Sequence, residues 1–352
     1  MGQNALNLFG ERLPPMILLT DIAILVASLA IILVSAHIFT NGIEHFGARL
    51  GLSEGVTGSI FAAIATALPE AIIPIIALVL APGSHEDNAH IAAGAILGAP
   101  LMLTTLALAV TGIAAGTKFG GHHILKPEKT GFQRDSLFFL GGFLLAGCAL
   151  YTPADWDGVR PLTGIALIAG YILYLLMTVS ASARLVADGH GTTAPEPLLL
   201  ARFGTGEGMP AIFLQLGLGL AMLCLGAFWF IDGVKAVSEI IQLPVLVLSL
   251  IIIPIATELP EKVNSVLWVR RRRDTLAIGN ISGALVFQGL LLPAIGILMS
   301  PWLPDAFVTT SVIITILAGL WLVIISRFKT LRVWHFIPNG VLYLLYLGLA
   351  LL

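Results

Sequence analysis

Apolar residues in this chain gather in long runs separated by short polar stretches, and the runs recur from the first tens of residues to the last. Each run is near the roughly 20 residues that an α-helix needs to cross the hydrocarbon of a bilayer. The pattern predicts ten spans, at about 16 to 38, 54 to 80, 90 to 115, 136 to 152, 161 to 182, 210 to 231, 243 to 269, 275 to 299, 307 to 326 and 335 to 352. The expected fold is therefore all-α and integral to the membrane.

Composition strengthens this reading. Of 352 residues 57% are hydrophobic and 11% charged, with a mean hydropathy of +0.97, far from the balance of a soluble domain. Lys and Arg sort by side. Arg12, Arg160 and Lys235 fall with the termini, whereas Lys118, Lys126, Lys129, Arg134, the run Arg270 to Arg273, Arg327, Lys329 and Arg332 fall opposite. By the positive-inside rule both termini are then expected on the extracytoplasmic side of the cell inner (plasma) membrane. Span one carries Asp21 with no small-residue cleavage pattern after it, so it is expected to stay as a helix. Cys148 and Cys224 sit inside apolar spans and say nothing of redox compartment. A net charge of −2 gives no reason to expect nucleic acid as a partner; the partner is the lipid bilayer.

The sequence also repeats itself. Leu50 to Leu80 aligns without gaps with Ile241 to Arg271, matching Ala65, Thr66, Leu68, Pro69 and Glu70 to Ala256, Thr257, Leu259, Pro260 and Glu261. Farther on, "AAGAILGAP" (92 to 100) aligns with "AIGNISGAL" (277 to 285). The chain thus divides into two halves, 1–182 and 210–352, joined by a Gly-, Pro- and Thr-rich cytoplasmic linker at 183–209. Each half holds five spans. Because five is odd, the second half enters the membrane from the opposite side, which makes the halves inverted repeats, a plan common among secondary transporters.

Within each repeat a Thr and a Glu stand four residues apart, Thr66 with Glu70 and Thr257 with Glu261, on one helix face. The proline between them removes a backbone donor and frees a carbonyl one turn back. Hydroxyl, carboxylate and carbonyl are hard oxygen ligands suited to calcium or sodium. The bland alternative is a proline kink whose Glu is neutralised by protonation or by Lys262. A carboxylate at this depth costs at least about 2.5–3.5 kcal/mol, so a symmetric pair of them favours the ion site. Gly94/Gly98 and Gly279/Gly283 follow a Gly-x-x-x-Gly pattern that serves close helix packing. Asn280 and Gln288, eight residues apart, fit either ion contact or an interhelical hydrogen bond. Asp21, His37, Asp232 and Glu239 fall near span ends, and His122 and His123 in a loop. No pattern of a metalloprotease, serine hydrolase or nucleotide-binding loop is present, so the chain reads as no enzyme, with no cofactor.

These motifs resemble those of the cation/calcium antiporters, the family that includes the sodium/calcium exchangers. There, two inverted five-helix halves each carry a Gly-Thr-Ser-Leu-Pro-Glu segment and, on the next helix, Gly-Asn-x-x-Gly-Ser-Asn-x-x-Asn/Asp. The counterparts here are "ATALPE" and "ATELPE", then "GAILGAPLML" and "GNISGALVFQ". The resemblance implies a calcium site formed by Thr66, Glu70, Thr257 and Glu261. Positions that form the sodium sites in the family are replaced, by Ala67, Glu258, Ala99, Ala284, Leu103 and Gln288. Glu258 lies three residues from Glu261, and two close carboxylates in low dielectric resist ionising together. The expectation is thus exchange of calcium for a monovalent cation, protons favoured over sodium, with Glu258, Asn280 and Gln288 as the possible coupling-ion or proton site. A structural ion pair between Glu258 and Lys262 remains the other reading of that residue. A monovalent cation/proton antiporter, and a non-transporting scaffold or sensor of the same fold, are the competing functions.

Overall fold

The computed structural model describes residues 15–49, 67–153, 156, 158–186 and 197–351. Helix α1 (Pro15–Arg49) is followed by α2 (Leu68–Val79) and α3 (His85–Met102), which continues through a π-helical turn (Leu103–Ala107) into α4 (Leu108–Phe119). Then come α5 (Lys129–Leu150), α6 (Val159–Val186), α7 (Met209–Ile241), α8 (Val245–Thr257), α9 (Leu259–Arg270), α10 (Asp274–Met299), α11 (Ala306–Ser326) and α12 (Ile337–Leu351). A two-residue strand, β1 (Ile124–Leu125), pairs antiparallel with β2 (Leu331–Arg332).

Among the described residues, seven helical stretches are long and apolar enough to cross a membrane: Thr20–Arg49, His85–Phe119, Val159–Thr178, Met209–Ile241, Asp274–Met299, Ala306–Ser326 and Val333–Leu351. The apolar helices Leu68–Val79 and Val245–Thr257 are shorter. Leu162, Leu176, Leu225 and Leu344 are exposed on the outer faces, which suits a bilayer and not water. The chain is an all-α, multi-pass membrane protein.

Helix ends extend past the apolar runs for local reasons. Helix α5 begins at Lys129, ahead of the expected 136, because the Glu128 carboxylate caps its first turn by accepting from the Thr130 N–H at 2.8 Å and from the Gly131 N–H. Helices α1 and α7 run on through polar last turns, and they pack along each other. On α7, Gly219, Gly226 and Gly233 recur every seven residues beneath Phe39, Ile32 and Leu25 of α1. A missing Cβ at each lets the backbones approach.

Two apolar cores result. One joins α3, α5, α10 and α11 around Phe139, Leu285, Leu290 and Leu322. The other joins α1, α2, α3, α7 and α8 around Ile32, Ile73, Ile91, Phe230 and Ile253. They adjoin along α3, which is buried over most of its length.

Part of the expected linker lies outside the described residues. Its last part is not free: Leu199–Phe203 forms a 3-10 turn, and Leu198 is buried against Ala211 and Ile212.

Candidate functional site

The site forms around the two copies of the repeated motif. Pro260 stands at the second position of α9 and has no N–H to give the Ala256 carbonyl, so helix ends at Thr257 and restarts at Leu259. Glu258 between them has φ −91° and ψ 6°. In the first half α2 starts at Leu68 with Pro69 in its second position, and Ala67 before it has φ −86° and ψ 0°. Both are sparsely used bridge conformations. Ala67 and Glu258 occupy equivalent positions of the two motifs and share this backbone conformation, each directly before a helix start.

Around these positions the polar groups are buried. Glu70 is 3% exposed, Thr257 2% and Glu258 0%. The Thr257 hydroxyl donates to the Ile253 carbonyl at 3.1 Å, leaving its lone pairs for another partner. Thr66 lies outside the described residues, and of Glu261 only the backbone is described. Among the described residues no group of three or more His, Cys, Asp and Glu side chains could hold a metal ion.

Glu258 is held from two sides. Its Oε1 accepts from Gln288 Nε2 at 3.0 Å, and its Oε2 lies 3.2 Å from Lys262 Nζ. Of the two readings of Glu258, the ion pair with Lys262 is the geometry adopted. The Lys262 ammonium also donates to the Pro254 carbonyl at 3.0 Å and approaches Met102 Sδ at 2.7 Å. Asn280 Nδ2 donates to Ser265 Oγ at 3.2 Å, between α10 and α9. That is the interhelical hydrogen bond, one of the two roles its sequence allowed.

The glycine pairs divide. Built onto Gly94, a Cβ would meet Ser249 Cβ at 2.4 Å; on Gly98 it would meet the Leu250 carbonyl oxygen at 2.4 Å and Pro254 Cγ at 2.7 Å. These two let α3 lie directly on α8. At Gly279 and Gly283 no described residue comes within 4 Å of an added Cβ, so the packing expected there is not seen among the described residues.

Other buried polar residues carry no motif in the sequence. The π-helical turn follows Pro100, and within it Thr104 Oγ1 donates to the Pro100 carbonyl at 2.6 Å while the Thr104 carbonyl accepts from Asn339 Nδ2 at 2.6 Å. Such turns interrupt α-helices at functional places more often than elsewhere. Asn339, fully buried on α12, was detectable as an amide inside an apolar span.

A membrane helix broken at a buried carboxylate, with a second buried carboxylate at the matching helix start, fits a membrane transporter. The chain belongs to the sodium/calcium exchanger protein family, whose model matches residues 20–180 and 211–352. It is 27% identical over 281 residues to the inner membrane protein YrbG of Escherichia coli (strain K12), covering 79% of this chain and 80% of that one. It is 24% identical over 278 residues to the putative antiporter CaxA of Alkalimonas amylolytica, again covering 79% and 80%. Among solved structures, an H+/Ca2+ exchanger, CAX, superposes with a TM-score of 0.71 at 15% identity, over 93% of this chain and 82% of that one. The sodium-calcium exchanger NCX_Mj gives 0.58 at 18% identity, over 94% and 98%. At these identities the superpositions speak for the fold.

Proposed function

We propose that this protein is a secondary-active antiporter that exchanges calcium for protons by alternating access. Its ten spans form two inverted five-helix halves, 1–182 and 210–352, with both termini outside the cytoplasm and 183–209 inside. The observation that carries this reading is the backbone conformation shared by Ala67 and Glu258, each directly before a helix start that carries a Pro-Glu pair, with Glu70 buried in the protein. Calcium is held by Thr66, Glu70, Thr257 and Glu261, whose oxygen chemistry suits a hard divalent cation. When calcium leaves, two carboxylates inside a low-dielectric bundle need replacement charge, and protons supply it. The family resemblance carries the calcium part, and the replaced sodium-site positions carry the preference for protons. We place the protons on Glu70 and Glu261, because the ion pair with Lys262 already supplies Glu258 with a counter-charge.

Access alternates as one set of helices moves past another. Helices α1 and α7 pack on each other along their length and meet the site helices chiefly through α2 and α8, which suits them to move as a pair.

Calcium uptake into liposomes holding the purified protein, driven separately by a pH gradient and by a sodium gradient, tests the reading. Uptake should follow the pH gradient and vanish in Glu70→Gln. Sodium-driven uptake in the parent would overturn the proton assignment. Calorimetry without calcium binding, together with proton-coupled monovalent flux, would favour the monovalent antiporter; absence of flux under every cation gradient would favour the scaffold.

A further inference from the structure

One positive charge is already built into the site. The Lys262 side chain turns back along α9, and its ammonium rests on Glu258 Oε2 at 3.2 Å and the Pro254 carbonyl at 3.0 Å, beside Met102 Sδ at 2.7 Å. All three acceptors belong to buried residues, drawn from the helix break, the last turn of α8 and the end of α3. A carboxylate oxygen and a main-chain carbonyl are what a hard monovalent cation such as sodium takes as ligands.

The repeat shows what this pair adds. At the register that matches Thr66 to Thr257, Glu258 and Lys262 correspond to Ala67 and Ala71. One half has therefore gained a carboxylate and an ammonium together, a neutral addition. The carboxylates at the repeated Pro-Glu positions, Glu70 and Glu261, then balance one divalent ion, while the third carboxylate is already matched.

We infer that Lys262 is a tethered cation that fills the place a sodium ion would take beside Glu258, and that this makes transport by the chain independent of sodium. The inference rests on the cation-antiporter reading above. A tethered cation and a purely structural ion pair differ once the ammonium is removed: a buried carboxylate and carbonyl are left facing a cavity the size of a small cation, and dissolved sodium can enter it.

The experiment uses the full-length protein in two forms, reconstituted and in detergent. Lys262→Met removes the charge, Lys262→Gln removes it while keeping an amide that can donate to Glu258, and Lys262→Arg keeps it. Sodium-driven calcium uptake should rise about tenfold over the parent in Lys262→Met and Lys262→Gln. It should stay at the parent level in Lys262→Arg and in the double variant Glu258→Gln/Lys262→Met. Independently of flux, sodium chloride should raise the melting temperature of Lys262→Gln relative to choline chloride, and leave the parent unmoved. No sodium-dependent melting shift and no sodium-driven uptake in either neutral variant overturns the inference. If the parent itself moves no calcium under any gradient, the antiporter reading fails, and the melting comparison still decides the role of Lys262.

Discussion

Gly98 on α3 lies directly against the carbonyl oxygen of Leu250 on α8, so close that a Cβ would stand 2.4 Å from it. The contact has a cause in the sequence. Pro254, four residues after Leu250, has no N–H with which to bond that carbonyl, and the resulting gap in the α8 ladder is where α3 approaches. Gly98→Ala forces the two helices apart beside the site, at a cost of about 1–3 kcal/mol by analogy with overpacked cores. Gly141→Ala serves as the control, since nothing lies within 4 Å of a Cβ there. Thermal melting in detergent should separate the two, with Gly98→Ala clearly lowered and Gly141→Ala near the parent. Equal melting temperatures would mean that α3 and α8 can part without loss.

Gln288 holds the other oxygen of Glu258, donating at 3.0 Å from α10 across to the helix break. Gln288→Leu keeps the bulk and removes the donor, and a buried acceptor that loses its partner costs about 1–3 kcal/mol. The loss should be coupled to Glu258. In a double-mutant cycle with Glu258→Gln, the combined effect should depart from the sum of the singles by about 0.5–3 kcal/mol. Additivity in this cycle would show that the bond contributes nothing to stability.

The break at Glu258 was legible in the sequence because proline chemistry is local: a missing N–H acts wherever Pro260 stands. Gly94 and Gly98 were legible for a similar reason, since a pair of glycines on one helix face fits little besides close packing. Gly279 and Gly283 show the limit, because the same pattern names no partner. The choice at Glu258 between a proton site and an ion pair was open for a different reason. Lys262 is one turn away on any helix, and only the positions of Pro254 and Met102 draw its ammonium inward. The π-helical turn at Leu103–Ala107 left no recognisable signature, being set by hydrogen bonds from Thr104 and by Asn339, more than 200 residues away in the chain. Contacts of that range depend on the packing of whole helices, which hydrophobic periodicity does not encode.

Asp135 joins three helices. Its carboxylate accepts from Ser282 Oγ of α10 at 2.7 Å and from the Tyr174 hydroxyl of α6 at 3.1 Å, and lies 3.2 Å from Arg134 Nη2. Asp135→Leu strands two buried hydroxyls, each at about 1–3 kcal/mol, and should lower the melting temperature far more than Asp135→Asn, whose amide oxygen still accepts. Ser282→Ala should cost less than Asp135→Leu, because it removes one of these bonds and leaves the other. A Leu variant as stable as the Asn variant would mean that this junction is held by apolar packing around Tyr171 and Phe287 alone.

The end of the linker, a free connection by its sequence, is tied down by two amides. Asn41 of α1 donates to the Pro197 carbonyl at 3.3 Å, and its Oδ1 accepts from the Leu199 N–H at 3.0 Å and from Gln215 Nε2 at 2.8 Å. Gln215 of α7 also accepts from the Leu200 N–H at 2.9 Å and donates to the Ile38 carbonyl at 2.9 Å. Two buried amides thus fasten one segment to both α1 and α7, so that the three move together. Asn41→Ala leaves a backbone donor and acceptor without partners and should release residues 197–203 before it affects the bundle, because local openings need less free energy than global unfolding. Limited proteolysis should show faster cutting at Arg202 by trypsin in Asn41→Ala and in Gln215→Ala, with the double variant little faster than either single. The melting temperature should change much less than the cutting rate. Cutting at the parent rate in both variants would show that burial of Leu198 against Ala211 and Ile212, and not the amide pair, holds the segment down.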